Sequence, residues 1–305
     1  MRKFTFLIIL CIMGISLSFA DENQSEGGLN VYTLFVNIVN ENFHFPLIGF
    51  VNIAAGSHSS PQIGFINWNQ NNFDSLQAGF VNTAGGNFRG LQMGFVNTVV
   101  KLFNGAQLGF VNTAVNGFDG MQISFVNVAK KINGFQLGFI NYAESIENGI
   151  PLGFISIVRN GGYKAIELNI TEIAPINLSF KIGVDKLYTS IGISYNPKEA
   201  NIKKVIFIGY GLGSIIPINS YFFFNPELLY NDTIIENYPI YLSLTPYFGY
   251  KIISGLSVLV GPSITWAYTK NDIKMATPFF SIMNHKINEK NSLLLGCRIA
   301  LRFQW

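Results

Sequence analysis

The chain has 305 residues, of which 49% are hydrophobic and only 12% charged, with 20 Lys and Arg against 17 Asp and Glu. This length allows one large or two ordinary domains, and the near-neutral charge argues against a nucleic-acid partner. Because the chain contains two cysteines, Cys11 and Cys297, a disulfide-rich scaffold is excluded.

The first twenty residues have the pattern of a secretory signal peptide. Met1-Arg2-Lys3 is basic, an apolar run follows to about Phe19, and Ser18 and Ala20 are small residues suited to signal peptidase. We predict export with cleavage near Ala20, which leaves 18 basic against 17 acidic residues. No later apolar run approaches the roughly 18 residues of a membrane helix, yet the mean hydropathy is +0.31. This combination is typical of a transmembrane β-barrel.

From residue 30 to about residue 160 the phrase Gly-Phe-Val/Ile-Asn recurs every 15 residues, with one step of 14 between Phe125 and Phe139. Such regularity indicates one structural unit copied about nine times. The residues of the repeat motif are Phe50, Asn52, Phe65, Asn67, Phe80, Asn82, Phe95, Asn97, Phe110, Asn112, Phe125, Asn127, Phe139 and Asn141.

Each repeat alternates with a period of two, which predicts a strand of about ten residues. Our first interpretation makes each repeat one antiparallel strand of an outer-membrane β-barrel, because ten residues tilted by about 40° cross the apolar band of about 25 Å. Met93, Leu108 and Leu137 would then face lipid, with Gln92, Gln107 and Gln136 facing the lumen. An Asn on the lipid-facing side fits this interpretation poorly.

The alternative is an N-terminal β-solenoid, fused to a C-terminal barrel, in which each repeat forms one coil and its Phe and Asn stack in ladders. The unbroken alternation leaves few corners for such a coil, and two Phe in each turn would crowd its interior. These two points favour the first interpretation.

Residues 161–305 lose the repeat but keep the alternation, which predicts a C-terminal β-barrel region. The predicted strands are 163–170, 177–184, 188–195, 204–214, 220–230, 238–250, 256–268 and a final pair from Thr277. Aromatic residues near strand ends predict interfacial girdles; they are Tyr221, Tyr230, Tyr238, Tyr241, Tyr247, Tyr250, Trp266 and Tyr268.

The last predicted strand is apolar at alternate positions up to Phe303 and Trp305, with Arg298 and Arg302 on its other face. Chain ends are usually polar and frayed, so this segment resembles the terminal assembly signal of outer-membrane barrels, with Phe303 and Trp305 as its key residues. If Trp305 faces lipid, Arg298 and Arg302 point into the lumen. There they either bias a pore toward anions or, the interpretation we favour, form salt bridges across the lumen.

Segments 91–97, 106–112 and 135–141 resemble the surface-repeat family of bacterial outer-membrane and surface proteins, best known in spirochaetes. Its units read Gly-Leu-Gln-x-Gly-Leu-Val-Asn; here Phe replaces the common Leu, and Leu34, Ser124 and Ser156 depart from the pattern. The resemblance implies a location rather than an activity. With the signal peptide and the terminal aromatic, it predicts the outer membrane, with membrane lipid and the barrel assembly machinery as partners.

No pattern of catalytic residues stands out. The three histidines, His44, His58 and His285, lack metal-ligand spacing, and the sequence contains no nucleophile elbow. We therefore predict no enzyme, no cofactor and no metal, and a structural outer-membrane protein or a passive pore. The alternative is an adhesin whose surface-exposed repeat module is anchored by the C-terminal half and binds a ligand that the sequence does not identify.

Overall fold

The structure, a computed structural model, describes residues 31–197, 206–233, 239–269 and 279–305. The predicted signal peptide and the predicted strand starts at Lys204, Tyr238 and Thr277 lie outside these residues. All regular elements of the described residues are strands, so the all-β prediction is confirmed. A helix of the length and apolarity needed to cross a membrane is not found among them.

The repeat region is a parallel β-solenoid, in which paired residues lie 15 positions apart along the chain, as Asn52 and Asn67 do, with one step of 14 between Asn127 and Asn141. This confirms the alternative; the first interpretation, with each repeat as an antiparallel barrel strand, is wrong. The strands are β1 (Val36–Val39), β2 (Leu47–Ile48), β3 (Val51–Ala54), β4 (Gln62–Ile63), β5 (Ile66–Asn69), β6 (Phe73–Ala78), β7 (Val81–Ala84), β8 (Phe88–Val99), β9 (Phe103–Ala114) and β10 (Phe118–Asn160).

A corner at the Gly-Phe pair reverses the alternation within every coil. In β8 the side chains of Gln92 and Asn97 are both fully buried, whereas Met93 and Phe95 are 40% and 45% exposed. At Gly94 the corner leaves no room for a side chain, because a Cβ there would approach the Gly79 carbonyl oxygen of the preceding coil to 2.1 Å. The motif Phe therefore lies outside the coil, which removes the crowding that counted against a solenoid.

The C-terminal half is a closed antiparallel barrel of eight strands. Its strands are β11 (Tyr163–Ile170), β12 (Ile176–Val184), β13 (Leu187–Tyr195), β14 (Ile206–Gly213), β16 (Phe222–Thr233), β17 (Ile240–Ile253), β18 (Leu256–Tyr268) and β20 (Asn291–Gln304). Closure comes from the pairing of β11 with both β12 and β20. Two short strands, β15 (Ile216–Pro217) and β19 (Met283–Lys286), pair with β16 and β20.

The last coil of the solenoid packs on the outer wall of the barrel. The rings of Phe154 and Tyr210, a residue of β14, stack with centroids 5.5 Å apart. The Thr189 hydroxyl donates to the Phe154 carbonyl oxygen at 3.4 Å. Val184 of β12 joins the apolar core of the solenoid with Val158. The barrel wall thus caps the C-terminal end of the solenoid core. We call the rim beside this contact, which carries Tyr163, the 185–186 turn and Gln304, the proximal rim, and the other rim distal.

Candidate functional site

A ladder of buried amides runs through the solenoid. The Nδ2 atom of Asn97 donates both to Oδ1 of Asn112 and to the Leu108 carbonyl oxygen, each at 2.9 Å. The ladder continues across the 14-residue step, where Asn127 donates to Asn141 at 2.9 Å. The structure thus brings together the motif asparagines as hydrogen-bonded supports of the fold: Asn52, Asn67, Asn82, Asn97, Asn112, Asn127 and Asn141 are all fully buried.

A second ladder, of glutamines, runs in the opposite direction. Gln92 Nε2 donates to Gln77 Oε1 at 2.7 Å, and Gln107 donates to Gln92 at the same distance. Gln92, Gln107 and Gln136 are fully buried. Their predicted place on a water-filled lumen is therefore wrong. Each Gln points into the coil, and the corner that follows it reverses the alternation, so that the motif Asn points into the coil as well.

The repeats build two aromatic ladders, one outside and one inside the coil. The exterior Phe ladder contains the motif residues, with ring centroids 4.8–5.1 Å apart, and comprises Phe50, Phe65, Phe80, Phe95, Phe110, Phe125, Phe139 and Phe154. The interior ladder comprises Phe43, His58, Phe73, Phe88, Phe103 and Phe118. Sequence reasoning missed the interior ladder, although it has the same 15-residue spacing.

His58 is the one imidazole in the interior ladder. It lies between Phe43 and Phe73, at ring distances of 5.7 Å and 5.5 Å, and is only 2% exposed. Neither ring nitrogen has a partner in hydrogen-bonding geometry among the described residues. Burial lowers the pKa of His58 below its ordinary value. This histidine is a packed aromatic of the core rather than a candidate ligand.

Charged side chains inside the barrel form two groups. In the first, Arg298 of β20 donates from Nε to Glu172 Oε2 at 3.0 Å, and the Ser263 hydroxyl donates to the same oxygen at 2.7 Å. Glu172 comes from the turn between β11 and β12, which folds into the barrel. All three residues are buried. Arg298 therefore lies inside the barrel, held in an ion pair.

The second group links four strands at the proximal side of the interior. Arg302 Nε donates to Glu167 Oε2 at 2.7 Å, and its NH2 group donates to Glu227 Oε1 at 3.0 Å. Lys181 bridges the same two carboxylates, at 3.2 Å from Glu167. The Tyr188 hydroxyl also donates to Glu227. Among the described residues, three cations balance three carboxylates in the interior, so the arginines form ion pairs across the lumen rather than a free anion-attracting ring.

Apolar clusters close the interior on both sides of this charge network. Near the distal rim, Ile173 packs with Phe207, Tyr241, Ala267 and Leu294. Near the proximal rim, Ile215 packs against two clusters. The first consists of Phe223, Tyr247, Leu259 and Ala300, and the second of Tyr163, Ala165 and Tyr188. A cavity of about 30 Å³ remains beside Arg298 and Phe207, room for one or two waters. Side chains fill an eight-stranded barrel of this size.

The outer face of the barrel is apolar. In its eight strands, the charged side chains that point outward are Lys164 near the proximal rim and Asp232 near the distal one. Phe303 and Trp305 point outward at the proximal rim, 43% and 64% exposed. Trp266 and Tyr230 lie toward the distal rim, whereas Tyr241 and Tyr247 are fully inside, so their predicted place in an interfacial girdle is wrong.

Within the described residues no group of His, Cys, Asp and Glu could hold a metal ion. Comparison of the chain with models of protein families, with curated proteins and with solved structures finds no significant match. The resemblance to the surface-repeat family therefore rests on the repeat motif alone.

Proposed function

We propose that the protein is a structural outer-membrane protein, in which the β-barrel is the anchor and the solenoid is the body that it holds at the membrane. The observation that carries this proposal is the polarity of the barrel: charges pair inside, and the outer face is apolar from rim to rim. In β18 that face runs from Leu256 to Tyr268, about 40 Å of strand and roughly 30 Å of height at a 40° tilt. A water-soluble barrel would have the opposite polarity.

The packed interior favours an anchor over a passive pore. In the part of the chain that the structure describes, the six paired charges and the apolar clusters toward both rims occupy the interior of the barrel. We expect no conductance above background when the purified protein is added to a planar bilayer. A steady, voltage-independent conductance would favour the pore instead.

The membrane proposal is tested by fractionation and by gel migration. We expect the protein in the outer-membrane fraction, extracted only by detergent and migrating differently before and after boiling. Deletion of Trp305 should lower its level in the membrane, because the terminal aromatic is proposed to be read by the barrel assembly machinery. A soluble periplasmic protein, or wild-type levels after the deletion, would contradict the proposal.

The rims favour a periplasmic solenoid over a surface-exposed adhesin. Strand connections at the proximal rim are 185–186, 214–221 and 254–255, whereas those at the distal rim are 171–175, 196–205, 234–239 and 269–290. Short turns of bacterial outer-membrane barrels face the periplasm, and the solenoid joins the proximal rim at Tyr163. In intact cells we expect a membrane-impermeant thiol reagent to label Asn288→Cys in a distal connection but not Lys101→Cys in the solenoid, with Cys297→Ser in both. Labelling of Lys101→Cys in intact cells would favour the adhesin.

A further inference from the structure

The exterior Phe ladder lies in the middle of an uncharged edge of the solenoid, which we call the apolar edge. It consists of segments that run from four residues before to three residues after each ladder Phe: 46–53, 61–68, 76–83, 91–98, 106–113, 121–128, 135–142 and 150–157. None of these segments contains Asp, Glu, Lys or Arg. The ladder rings are nearly half exposed; Phe65, Phe80 and Phe110 are each 44% exposed.

Charge is confined to the remaining part of each coil. Between residues 54 and 160 the charged residues are Asp74, Arg89, Lys101, Asp119, Lys130, Lys131, Glu144, Glu147 and Arg159, all outside the apolar edge. We call the corner opposite the Phe ladder, which carries Lys101 and Asn116, the polar edge. Val100, Leu102 and Val115 are also exposed at the polar edge, so the two edges differ in charge. The apolar edge carries no charge, and a continuous exposed apolar strip of this kind marks an interaction surface.

The apolar edge continues directly into the outer wall of the barrel. Phe154 ends the ladder by stacking on Tyr210 at 5.5 Å, and the Tyr210 hydroxyl donates to the Gly153 carbonyl oxygen at 3.3 Å. The next outward residues of the wall toward the distal rim, Ile193 and Ile208, are 49% and 52% exposed. The same apolar surface thus passes from the wall to the solenoid without a charged residue between them.

The contact also orients the solenoid. Tyr210 pairs with Ile191, four residues into β13 from the proximal turn, about 10 Å along the wall after tilt. Val184, which meets the solenoid core, lies at the turn itself. The Phe ladder therefore meets the wall nearer to the middle of the barrel than the solenoid core does. The apolar edge is thus the side of the solenoid that is turned toward the proposed membrane.

We infer that the apolar edge is a lipid-contacting surface, by which the solenoid lies along the membrane with its Phe ladder in the phospholipid acyl chains of the leaflet at the proximal rim. This inference rests on the proposed membrane barrel. Phospholipid is the occupant because the edge is continuous with the proposed lipid-facing wall, and because its uncharged, repeated side chains match an acyl surface. An interfacial element of this type buries its apolar side by about 5–10 Å.

Spin labels on the two edges test this inference in full-length mature protein reconstituted into phosphatidylcholine vesicles. In a Cys297→Ser background, Phe95→Cys and Met93→Cys label the apolar edge, and Lys101→Cys and Asn116→Cys label the polar edge. Met93→Cys leaves every ladder ring in place, which guards against misfolding. Ile264→Cys on the outer wall of the barrel is the membrane reference. We expect collisions with oxygen to dominate at Met93, Phe95 and Ile264, and collisions with a water-soluble nickel chelate at Lys101 and Asn116.

Three results would overturn the inference, each in a distinguishable way. Equal nickel access at both edges, with Ile264 still in lipid, would place the solenoid in water and leave the barrel proposal intact. Nickel access at Ile264 as well would reject the membrane barrel itself. Protection of Met93 from both reagents, with spin–spin coupling that rises with the protein-to-lipid ratio, would mean that a second copy of the chain covers the apolar edge.

Discussion

His58 interrupts the interior aromatic ladder, and His58→Phe should stabilise the first coils of the solenoid. The equivalent pair Phe73–Phe88 stacks at 5.3 Å, close to the 5.5 Å between His58 and Phe73, so a Phe ring fits the space. The substitution removes a buried imidazole whose ring nitrogens lie near backbone groups of Phe43, Ser60 and Pro61 but make no hydrogen bond of good geometry to the described residues. An unsatisfied buried polar group costs about 1–3 kcal/mol, and we expect a gain of this size at neutral pH.

The same histidine should make these coils sensitive to acid. Burial lowers the pKa of folded His58 below the ordinary 6.5, so the unfolded state binds more protons between the two pKa values. Stability is therefore complete above about pH 6.5 and falls as the pH drops toward the folded pKa, by at most about 1.4 kcal/mol per pH unit. We expect less than this limit, because local opening of the first coils lets water screen the charge.

Hydrogen exchange measured by mass spectrometry resolves the effect coil by coil, which a global melting curve of a repeat protein does not. After correction for intrinsic exchange, protection of residues 58–74 should fall between pH 7.5 and pH 5.5, while residues 103–118 change little. His58→Phe should abolish the fall. The control His44→Gln, at an exposed position, should retain most of it, because burial lowers the pKa of His58 more than the charge of His44 does. Equal protection of residues 58–74 at both pH values in the wild type would refute the reasoning.

Three further predictions concern the ladders and the barrel. Arg298→Met leaves the buried carboxylate of Glu172 without its cation and should destabilise the barrel by about 3–5 kcal/mol in detergent unfolding. Adding Glu172→Gln should restore most of this stability. Additive losses would argue against the pairing of the two residues. Asn97→Leu removes the four hydrogen bonds of the Asn97 side chain and should lower protection of the flanking coils by about 2–4 kcal/mol, against less than about 0.5 kcal/mol for Thr98→Val on the outer face. Equal effects would contradict the buried ladder. Ile299→Lys should cost about 2–4 kcal/mol if it faces the bilayer midplane, measured by urea titration in vesicles, and a silent substitution would contradict a lipid-facing wall.

The barrel strands were predictable because their signal is local. An antiparallel barrel wall has one apolar and one polar face, so the period of two persists along each strand. The predicted segment 163–170 coincides with β11, and 256–268 coincides with β18. The partners of Arg298 and Arg302 were not predictable, since Glu172 and Glu167 lie more than a hundred residues away along the chain. Closure of the sheet brings them together.

The sequence by itself determined that one 15-residue unit repeats, that the fold is all-β, and that the region after residue 160 alternates as a barrel wall does. It left open whether neighbouring repeats pair antiparallel or stack in parallel, because both arrangements have the same local period. Tertiary structure decided this through contacts between residues 15 apart. A buried Asn needs a partner, and parallel in-register stacking supplies an identical Asn at every step, as from Asn82 to Asn97 at 2.8 Å. The reversal at each Gly-Phe corner follows from the same stacking. Each side chain must lie above its copy in the preceding coil, and strict alternation over an odd number of residues would place it on the opposite face.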